Sequence, residues 1–288
     1  RNLGVIDSCI KLVHKRKGEL IDVDKIPLDD AKTYDELCRG NCAGVFQLES
    51  SGMRQLMMQL QPRNVEDIMA LISLYRPGPM GSGMDKEYID RKHGRSQIKY
   101  EHPKLAKVLA SSLGIMLYQE DVLAVARELA GFTSAEADDL RKVIGKKLMD
   151  KIAKMRSMFV QGCMATSDMS ETLANKIFSD IEYFGGYGFN RAHAASYAMI
   201  SYVTAYLKSN HPTEYMAGLM SSVVGNKEKQ AFYLSDCRKL NIEVSPPSIN
   251  KSGIDFEVVG DSSIVFGLSA VSGIGQSIAD AIVNCRNT

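Results

Sequence analysis

Apolar residues recur every three or four positions along most of the chain, and this spacing predicts amphipathic helices. One such stripe, between residues 120 and 130, stops at Gly131, and glycine commonly follows the last turn of a helix. The next helix is predicted to open at the capping sequence Thr133-Ser-Ala-Glu136 and to end near Gly145. Other stretches with start and stop signals predict helices over residues 64–76, 150–164, 170–184, 214–224 and 229–240.

The stretch from Arg191 to Ser209 is apolar on nearly every side of a helix. A helix without a polar face is usually buried, so this one is predicted to lie at the centre of its domain. The sequence His211-Pro212 should end it, because proline disfavours helical backbone in the residue before it.

The pattern changes after about residue 241. Short runs of β-type residues occur at 242–244, 256–259 and 264–266, and turn-forming sequences rich in Pro, Gly, Asp and Ser separate them. We therefore predict a mainly α chain with a small β-containing C-terminal segment and a domain edge near residue 241.

The amino-acid composition is that of a folded protein without membrane spans. Apolar residues make up 45% of the 288 positions and charged residues 24%, which excludes wholesale disorder. No apolar run approaches the roughly 18 residues of a membrane span, so no membrane partner is expected. The six scattered cysteines fit a reducing, cytoplasmic location. Because the chain begins with Arg1 and not Met, we expect it to be cut from a longer protein.

The net charge of the whole chain is only +1, but one stretch of it is strongly basic. Between residues 141 and 156, seven cations face one acid, Asp150: Arg141, Lys142, Lys146, Lys147, Lys151, Lys154 and Arg156. Cations grouped at a helix end can converge on one polyanion. The charge pattern alone is equally typical of a solvated face, in which Lys142 pairs with Asp138 one turn earlier.

The sequence Gly185-Gly-Tyr-Gly-Phe-Asn190-Arg191-Ala-His193 leads into the apolar helix. Asn190 is a good N-cap, and the free N–H groups of a helix start form an anion site that Arg191 could extend. His193 and Tyr197 should lie on one face. The alternative is that Asn190 only caps and that His193 and Tyr197 are ordinary semi-buried residues.

The segment from Leu268 to Val283 contains Gly273-Ile-Gly275 and Ala279, an order that resembles a helix-hairpin-helix. The N–H groups of such a hairpin bind nucleic-acid phosphate without reading sequence. An ordinary helical turn is the alternative, and the chain stops too soon for a complete paired unit.

Three other patterns are not expected to carry chemistry. Asp22 and Asp24 have the spacing of a metal-binding pair but lie in what we interpret as an exposed connector. Gly78 to Gly83 lacks the Gly-Lys-Ser/Thr of a phosphate-binding loop. Cys38 and Cys42 have no second close pair, so we interpret them as plain thiols and not as zinc ligands.

Five stretches resemble the bacterial DNA polymerase III alpha subunits, which are C-family replicative DNA polymerases. They follow the order of that family across almost the whole chain: Gly44-Val-Phe-Gln-Leu-Glu-Ser50, Leu74-Tyr-Arg-Pro-Gly-Pro79, Tyr118-Gln-Glu120, Leu140-Arg-Lys-Val-Ile-Gly-Lys-Lys147 and Tyr187-Gly-Phe-Asn-Arg-Ala-His-Ala-Ala-Ser-Tyr197. The Asn-x-x-His form is similar to the type common in most bacteria, not to the separate Gram-positive replicase.

The resemblance implies the fingers region of a DNA-directed DNA polymerase, a nucleotidyltransferase. It implies a connector after the palm (residues 1–30), helical fingers (31–240), and a small β segment with the start of a helix-hairpin-helix-like element (241–288). The residues expected to bind the incoming deoxynucleoside triphosphate are Arg141, Lys142, Lys146, Asn190, Arg191, His193 and Tyr197. Relatives often carry Arg at the position of Lys142 and Lys at that of Arg191.

Template-primer DNA is expected at Lys147, Lys151, Lys154, Gly273 and Gly275. The family's metal-binding aspartates belong to the palm, so Mg²⁺ is expected only in the complete enzyme and the isolated chain is expected to be inactive. Other subunits of the replicative holoenzyme, including the sliding clamp, would bind through regions absent here. Two alternatives stay open: a non-catalytic scaffold that binds the DNA backbone, and the equivalent region of a mutagenic-repair polymerase of the same family.

Overall fold

A computed structural model describes residues 2–287, and the described part is mainly helical. Its helices are α1 (Asn2–Lys17), α2 (Ala31–Cys38), α3 (Ser51–Leu60), α4 (Val65–Leu74), α5 (Pro77–Ser82), α6 (Met84–Lys92), α7 (Pro103–Leu109), α8 (Gln119–Ala130), α9 (Ser134–Gly145), α10 (Met149–Ser167), α11 (Glu171–Gly185), α12 (Arg191–Asn210), α13 (Pro212–Ser221), α14 (Lys227–Lys239) and α15 (Gln276–Asn287). The strands are β1 (Glu243–Ser245), β2 (Glu257–Val259) and β3 (Ser263–Val265). The predicted class, mainly α with a small β-containing C-terminal part, is confirmed.

Local signals explain several helix ends. At the start of α9, the Thr133 hydroxyl accepts from the Glu136 N–H (3.3 Å), and the Glu136 carboxylate accepts from the Thr133 N–H (2.8 Å). This reciprocal capping box satisfies two donors that the helix cannot. Gly131 follows α8 with φ +69°, a conformation open to glycine at little steric cost. The helix predicted over residues 64–76 ends at Leu74, and Pro77 starts α5, because the first helical position needs no N–H donor.

The chain forms two compact units. The first contains the chain up to Asn64 and from Met199 onward, and the second is Val65–Ala198. The predicted domain limits, after residues 30 and 240, stay predictions.

The first unit is built around α1, α13 and the second half of α12. Helix α1 packs against α13, whose residues from Thr213 to Met220 are all buried. The buried Lys208 is paired, as an interior charge requires: its Nζ lies 2.6 Å from Asp236 and donates to the Ala43 carbonyl at 2.8 Å. Strand β3 pairs in parallel with β1 and antiparallel with β2.

The helix-hairpin-helix-like segment follows β3 in this unit. A 3-10 turn, Leu268–Ala270, is followed by Gly273 at φ +88° and then by α15. Ala279 is fully buried, as expected of the small residue that lets such a helix pack closely.

The second unit has its own core, formed by α7 to α11. Phe159 lies at its centre, with ring centroids 6.1 Å from Phe132 and 5.6 Å from Phe178. Leu129, Leu140 and Phe178 are fully buried in the same cluster. This packing fixes the relative positions of α8, α9 and α11, which carry the residues of the candidate site.

Helix α12 is only partly as predicted. Between Ser201 and Leu207 nearly every side chain is buried, but Arg191, Ala192, His193 and Ser196 are exposed at its start. The prediction of burial all round was wrong for these first two turns. Ala and Ser carry little apolar area, so they contribute little to a buried face wherever they lie.

Within residues 2–287, none of the helices combines the length and apolar character needed to cross a bilayer.

Candidate functional site

A short backbone ladder joins the start of α8 to the loop before α12. Tyr118 and Phe189 form an isolated parallel bridge, in which the Gln119 N–H donates to the Phe189 carbonyl at 2.8 Å. The Phe189 N–H donates in turn to the Leu117 carbonyl at 3.2 Å. Two motifs that lie 70 residues apart in the chain therefore meet at one place.

The N-terminus of α12 is capped as the sequence predicted. The Asn190 side-chain oxygen accepts from the His193 N–H at 2.8 Å. A carboxylate also lies there: Glu120 accepts from the Arg191 N–H at 2.9 Å and from the Asn190 amide at 3.1 Å. The expectation that these N–H groups are free was therefore wrong for Arg191 and His193, because Glu120 and Asn190 satisfy them.

Aromatic rings surround this helix start. The His193 and Tyr197 ring centroids are 4.0 Å apart, which confirms that the two share a face, and Phe189 lies 5.5 Å from His193. The Arg191 guanidinium lies 5.4 Å from the centre of the Tyr118 ring. Burial raises the pKa of Tyr118 to about 12, so its ring is a neutral phenol at neutral pH and a suitable cation–π partner.

The cations of α9 are already paired within the chain. Arg141 and Lys142 each lie 2.7 Å from the Asp138 carboxylate. Hydrogen bonds from Lys142 and then Arg141 hold the pKa of Asp138 below its ordinary value, and the same contact raises the pKa of Lys142. The helix-face pairing that the charge pattern allowed is thus present, so an anion that binds Arg141 or Lys142 has to share these cations with Asp138 or displace it.

The remaining lysines of the basic stretch are exposed. Lys146 caps α9, and Lys147 follows it with φ +54°, a left-handed conformation that turns the chain toward α10. Among the described residues, Lys146, Lys147, Lys151 and Lys154 have no carboxylate within ion-pair distance. Arg156, by contrast, pairs with Glu182 at 2.7 Å.

A cavity of about 170 Å³ brings the basic stretch and the glycine loop together. Its lining includes Arg141, Lys142, Lys146, Gly185 and Gly188. A Cβ on Gly185 would lie 2.0 Å from the Ile144 side chain, so glycine is required for this close approach. The cavity is thus lined by cations, by glycine backbone and by the apolar side chains of Val122, Ile144 and Phe184.

Gln119 connects the cavity to the start of α12. Gln119 lines the cavity, where its side-chain amide donates to the Gly188 carbonyl at 3.4 Å and accepts from Arg141 at 3.5 Å. Its backbone N–H donates to the Phe189 carbonyl. Asn190, Arg191, His193 and Tyr197 do not line the cavity themselves. The seven nucleotide-site residues therefore form two groups joined through Gln119.

The predicted DNA contacts are divided between the units. Lys147, Lys151 and Lys154 lie in the second unit, whereas Gly273 and Gly275 lie in the first. At the start of α15, the N–H groups of Ile278 and Ala279 donate to the Gly275 carbonyl at 3.1 and 3.0 Å. The N–H groups of Gln276 and Ser277 have no acceptor within the helix, which is the feature that suits a hairpin to phosphate.

The described residues contain no group of three or more His, Cys, Asp and Glu side chains that could hold a metal. Asp22 caps a 3-10 turn and pairs with Lys25 at 3.0 Å, and both Asp22 and Asp24 are exposed, as predicted. These residues do not fit a Mg²⁺ site, so no step is assigned to a metal here.

Sequence reasoning missed the contacts of Gln119 and Glu120 with the loop before α12. The motif Tyr118-Gln-Glu120 marked the place, but no periodicity or spacing shows which distant segment a polar side chain will meet.

Comparisons with known proteins agree with this arrangement of motifs. The family model described as "Bacterial DNA polymerase III alpha subunit finger domain" matches residues 2–167, and a helix-hairpin-helix motif model matches residues 241–288. The DNA polymerase III subunit alpha of Escherichia coli (strain K12) is 42% identical over 296 residues, covering 100% of this chain and 25% of that protein.

Two further relatives carry the same name. That of Mycobacterium tuberculosis (strain ATCC 25618 / H37Rv) is 43% identical over 291 residues, covering 100% of this chain and 24% of its own length. That of Thermus aquaticus is 44% identical over 291 residues, covering 99% of this chain and 24% of its own length. The chain thus spans about a quarter of the length of these curated relatives.

Proposed function

Since the chain belongs to the bacterial DNA polymerase III alpha subunits, with their finger-domain model matching residues 2–167, we propose that it binds the incoming deoxynucleoside triphosphate and template-primer DNA within a DNA-directed DNA polymerase. The observation that carries this proposal is the cavity lined by Arg141, Lys142 and Lys146 together with Gly185 and Gly188. Cations with accessible glycine backbone suit a chain of phosphates.

The phosphates would lie against the cations of this cavity. Arg141 and Lys142 would exchange Asp138 for phosphate oxygens, and exposed Lys146 would add a third contact. Arg191, next to Asn190 at the start of α12, would also face the phosphates. His193 and Tyr197 would face the sugar or base, since they present a joined aromatic surface there. The chain's own contribution is binding and orientation, which can supply several kcal/mol of a reaction barrier.

DNA would be held through its backbone. Lys147, Lys151 and Lys154 are exposed, and the helix-hairpin-helix segment offers N–H donors near Gly273 and Gly275. Mg²⁺, the metal carboxylates, the clamp and other holoenzyme subunits belong in this proposal to the complete enzyme, in the cytoplasm. The isolated chain should then not extend a primer.

A thermal unfolding series tests the nucleotide site. dATP should raise the melting temperature of the chain, because a ligand that binds only the folded state stabilises it, whereas deoxyadenosine, which lacks the phosphates, should not. Lys146→Ala should weaken the protection. Equal protection by the two ligands, or none by dATP, would contradict the proposal.

His193→Ala in the complete polymerase separates a binding role from a structural one. If His193 faces the nucleotide, the variant should keep its melting temperature and show a raised KM or lowered kcat. Lost stability with unchanged kinetics per folded molecule would leave His193 as an ordinary surface-helix residue.

The second candidate function, a scaffold that binds only duplex backbone, is favoured by the exposed lysines of the basic stretch. It predicts no protection by dATP, together with duplex binding that falls steeply with salt.

A further inference from the structure

A second cavity, of about 300 Å³, lies in the same unit as the nucleotide cavity. Ile144 lines both cavities. Lys146 and Gly185 line the nucleotide cavity, and the next residues along the chain, Lys147 and Gly186, line the second. The two cavities therefore share a wall. A molecule in one lies close to a molecule in the other.

The second cavity exposes two aromatic rings. Tyr183 is 58% exposed and Tyr187 is 38% exposed, and their centroids are 5.7 Å apart at an interplanar angle of 62°. In this edge-to-face arrangement the rings do not cover each other as a stack would, so ring area stays available to a ligand. We call these two residues the tyrosine pair.

The backbone around the tyrosine pair is held in place. The Tyr187 carbonyl accepts from Arg76 at 3.2 Å, and a Cβ on Gly78 would lie 2.0 Å from the Tyr187 ring. Gly78 of the Arg-Pro-Gly-Pro motif thus packs directly against the Tyr187 ring and helps to fix its position. A ring fixed by its surroundings loses less conformational entropy when a ligand stacks on it.

The cavity next to the tyrosine pair is lined by one cation, Lys147, and one carboxylate, Glu182. Lys147 lines the cavity, and Lys146 and Lys151 are exposed on either side of it in the chain. Glu182 is the carboxylate of the lining, and it is already paired with Arg156 at 2.7 Å. Aromatic rings next to cations are the combination that holds single-stranded nucleic acid, since bases stack and phosphates pair.

We propose that the tyrosine pair and Lys147 hold an unpaired base of a DNA strand beside the nucleotide cavity. The inference rests on the proposed function and extends it, because an unpaired strand adjoining the incoming nucleotide would be template not yet copied. Stacking tolerates every base, which suits a site that each template base must pass.

The test compares two oligonucleotides with equal phosphates. Fluorescence anisotropy would measure binding of the chain to labelled (dT)12 and to a 12-residue strand of the same backbone with abasic sites throughout. The wild-type chain should prefer (dT)12 by at least about fivefold, the lower end of what stacking on one ring provides. Tyr183→Leu and Tyr187→Leu should each reduce that preference, and Tyr183→Phe, which keeps the ring, should retain it.

Two outcomes would overturn the inference: equal wild-type binding of both strands, or an unchanged preference in Tyr183→Leu. Circular dichroism and dATP protection serve as readouts of fold and of the nucleotide cavity. If the wild-type chain shows no base preference but keeps its dATP protection, this site alone is overturned. Absent dATP protection with a preference that still depends on Tyr183 overturns the nucleotide site alone.

Discussion

Replacing Glu120 by glutamine should strengthen nucleotide binding while slightly weakening the fold. The Glu120 carboxylate occupies the N-terminus of α12, where it accepts from the Arg191 N–H at 2.9 Å and from the Asn190 amide at 3.1 Å. Glutamine keeps an oxygen for these contacts but removes the negative charge. Because the predicted ligand is a polyanion that approaches the same helix end, the charge should oppose it.

The magnitude follows from Coulomb's law. A phosphate charge about 5–6 Å from the carboxylate would be repelled by about 1–3 kcal/mol for an effective dielectric constant between roughly 80 and 20. That range corresponds to about 5- to 150-fold in affinity. The cost to the fold should be smaller, about 0.3–1 kcal/mol, the usual value of a charge at a helix N-terminus.

Titration calorimetry with dATP in metal-free buffer would measure the affinity, and urea unfolding would measure the stability. The gain should shrink at high salt, since partly exposed charges are screened. Glu128→Gln is the matched control: it makes the same charge change on α8, but Glu128 pairs with Lys107 at 3.1 Å and not with α12. Unchanged or weaker dATP binding by Glu120→Gln would refute the placement of phosphate near this helix start.

Other variants test the surroundings of the site. Asn190→Ala should lower the free energy of unfolding, measured by urea titration, by about 1 kcal/mol, because the His193 N–H loses its acceptor at 2.8 Å. An unchanged free energy of unfolding would show that Glu120 alone caps the helix. Gly185→Ala should weaken dATP protection and lower the free energy of unfolding by about 1–3 kcal/mol, because the new Cβ would lie 2.0 Å from Ile144. Gly186→Ala is the control, since a Cβ at that position has open space around it. Burial disfavours the charged form of Glu214, but hydrogen bonds from its own backbone and from Lys17, with the charges of Lys17 and Arg16, lower its pKa below 4.5. The stabilisation from Glu214 is therefore complete above its ordinary pKa of 4.5 and is lost as the pH falls through the lower folded pKa. Glu214→Gln should flatten the loss of stability that occurs below pH 4.5. An equally steep loss in the variant would contradict this.

Local signals were sufficient for much of the fold. The start of α9 depends on two side chains three residues apart, and Gly131 alone marks the end of α8, so both could be predicted. The first helix had a usable signal that went unexploited: Val5, Cys9 and Val13 recur every four residues, and all three are buried in α1. The start of α12 misled because the buried Ala194 and Ala198 made the pattern look apolar, although the polar Arg191, His193 and Ser196 lie in the same turns and are exposed.

The site was less predictable than the fold. Its residues were found through family motifs, but their partners come from elsewhere in the chain. Glu120 meets Asn190 across 70 residues, and Arg76 meets Tyr187 across 111. Helical spacing correctly suggested the pairing of Lys142 with Asp138, because both residues belong to one helix. Contacts between segments depend on packing that periodicity does not encode.

The two groups of candidate nucleotide residues share one electrostatic property. Asp138 holds Arg141 and Lys142, and Glu120 holds the start of α12, so each positive group already has a carboxylate. Such pairing keeps cations ordered without a ligand, which reduces the entropy lost on binding. At Arg141 and Lys142 an anion also has to compete with the Asp138 carboxylate, whereas at Lys146 it only adds a contact. An anion with a single charge gains little from that exchange, whereas a triphosphate brings several charges and can compensate for both carboxylates together. Under the proposed function, the pairing would favour the most highly charged form of a nucleotide, which is the form that a polymerase has to select.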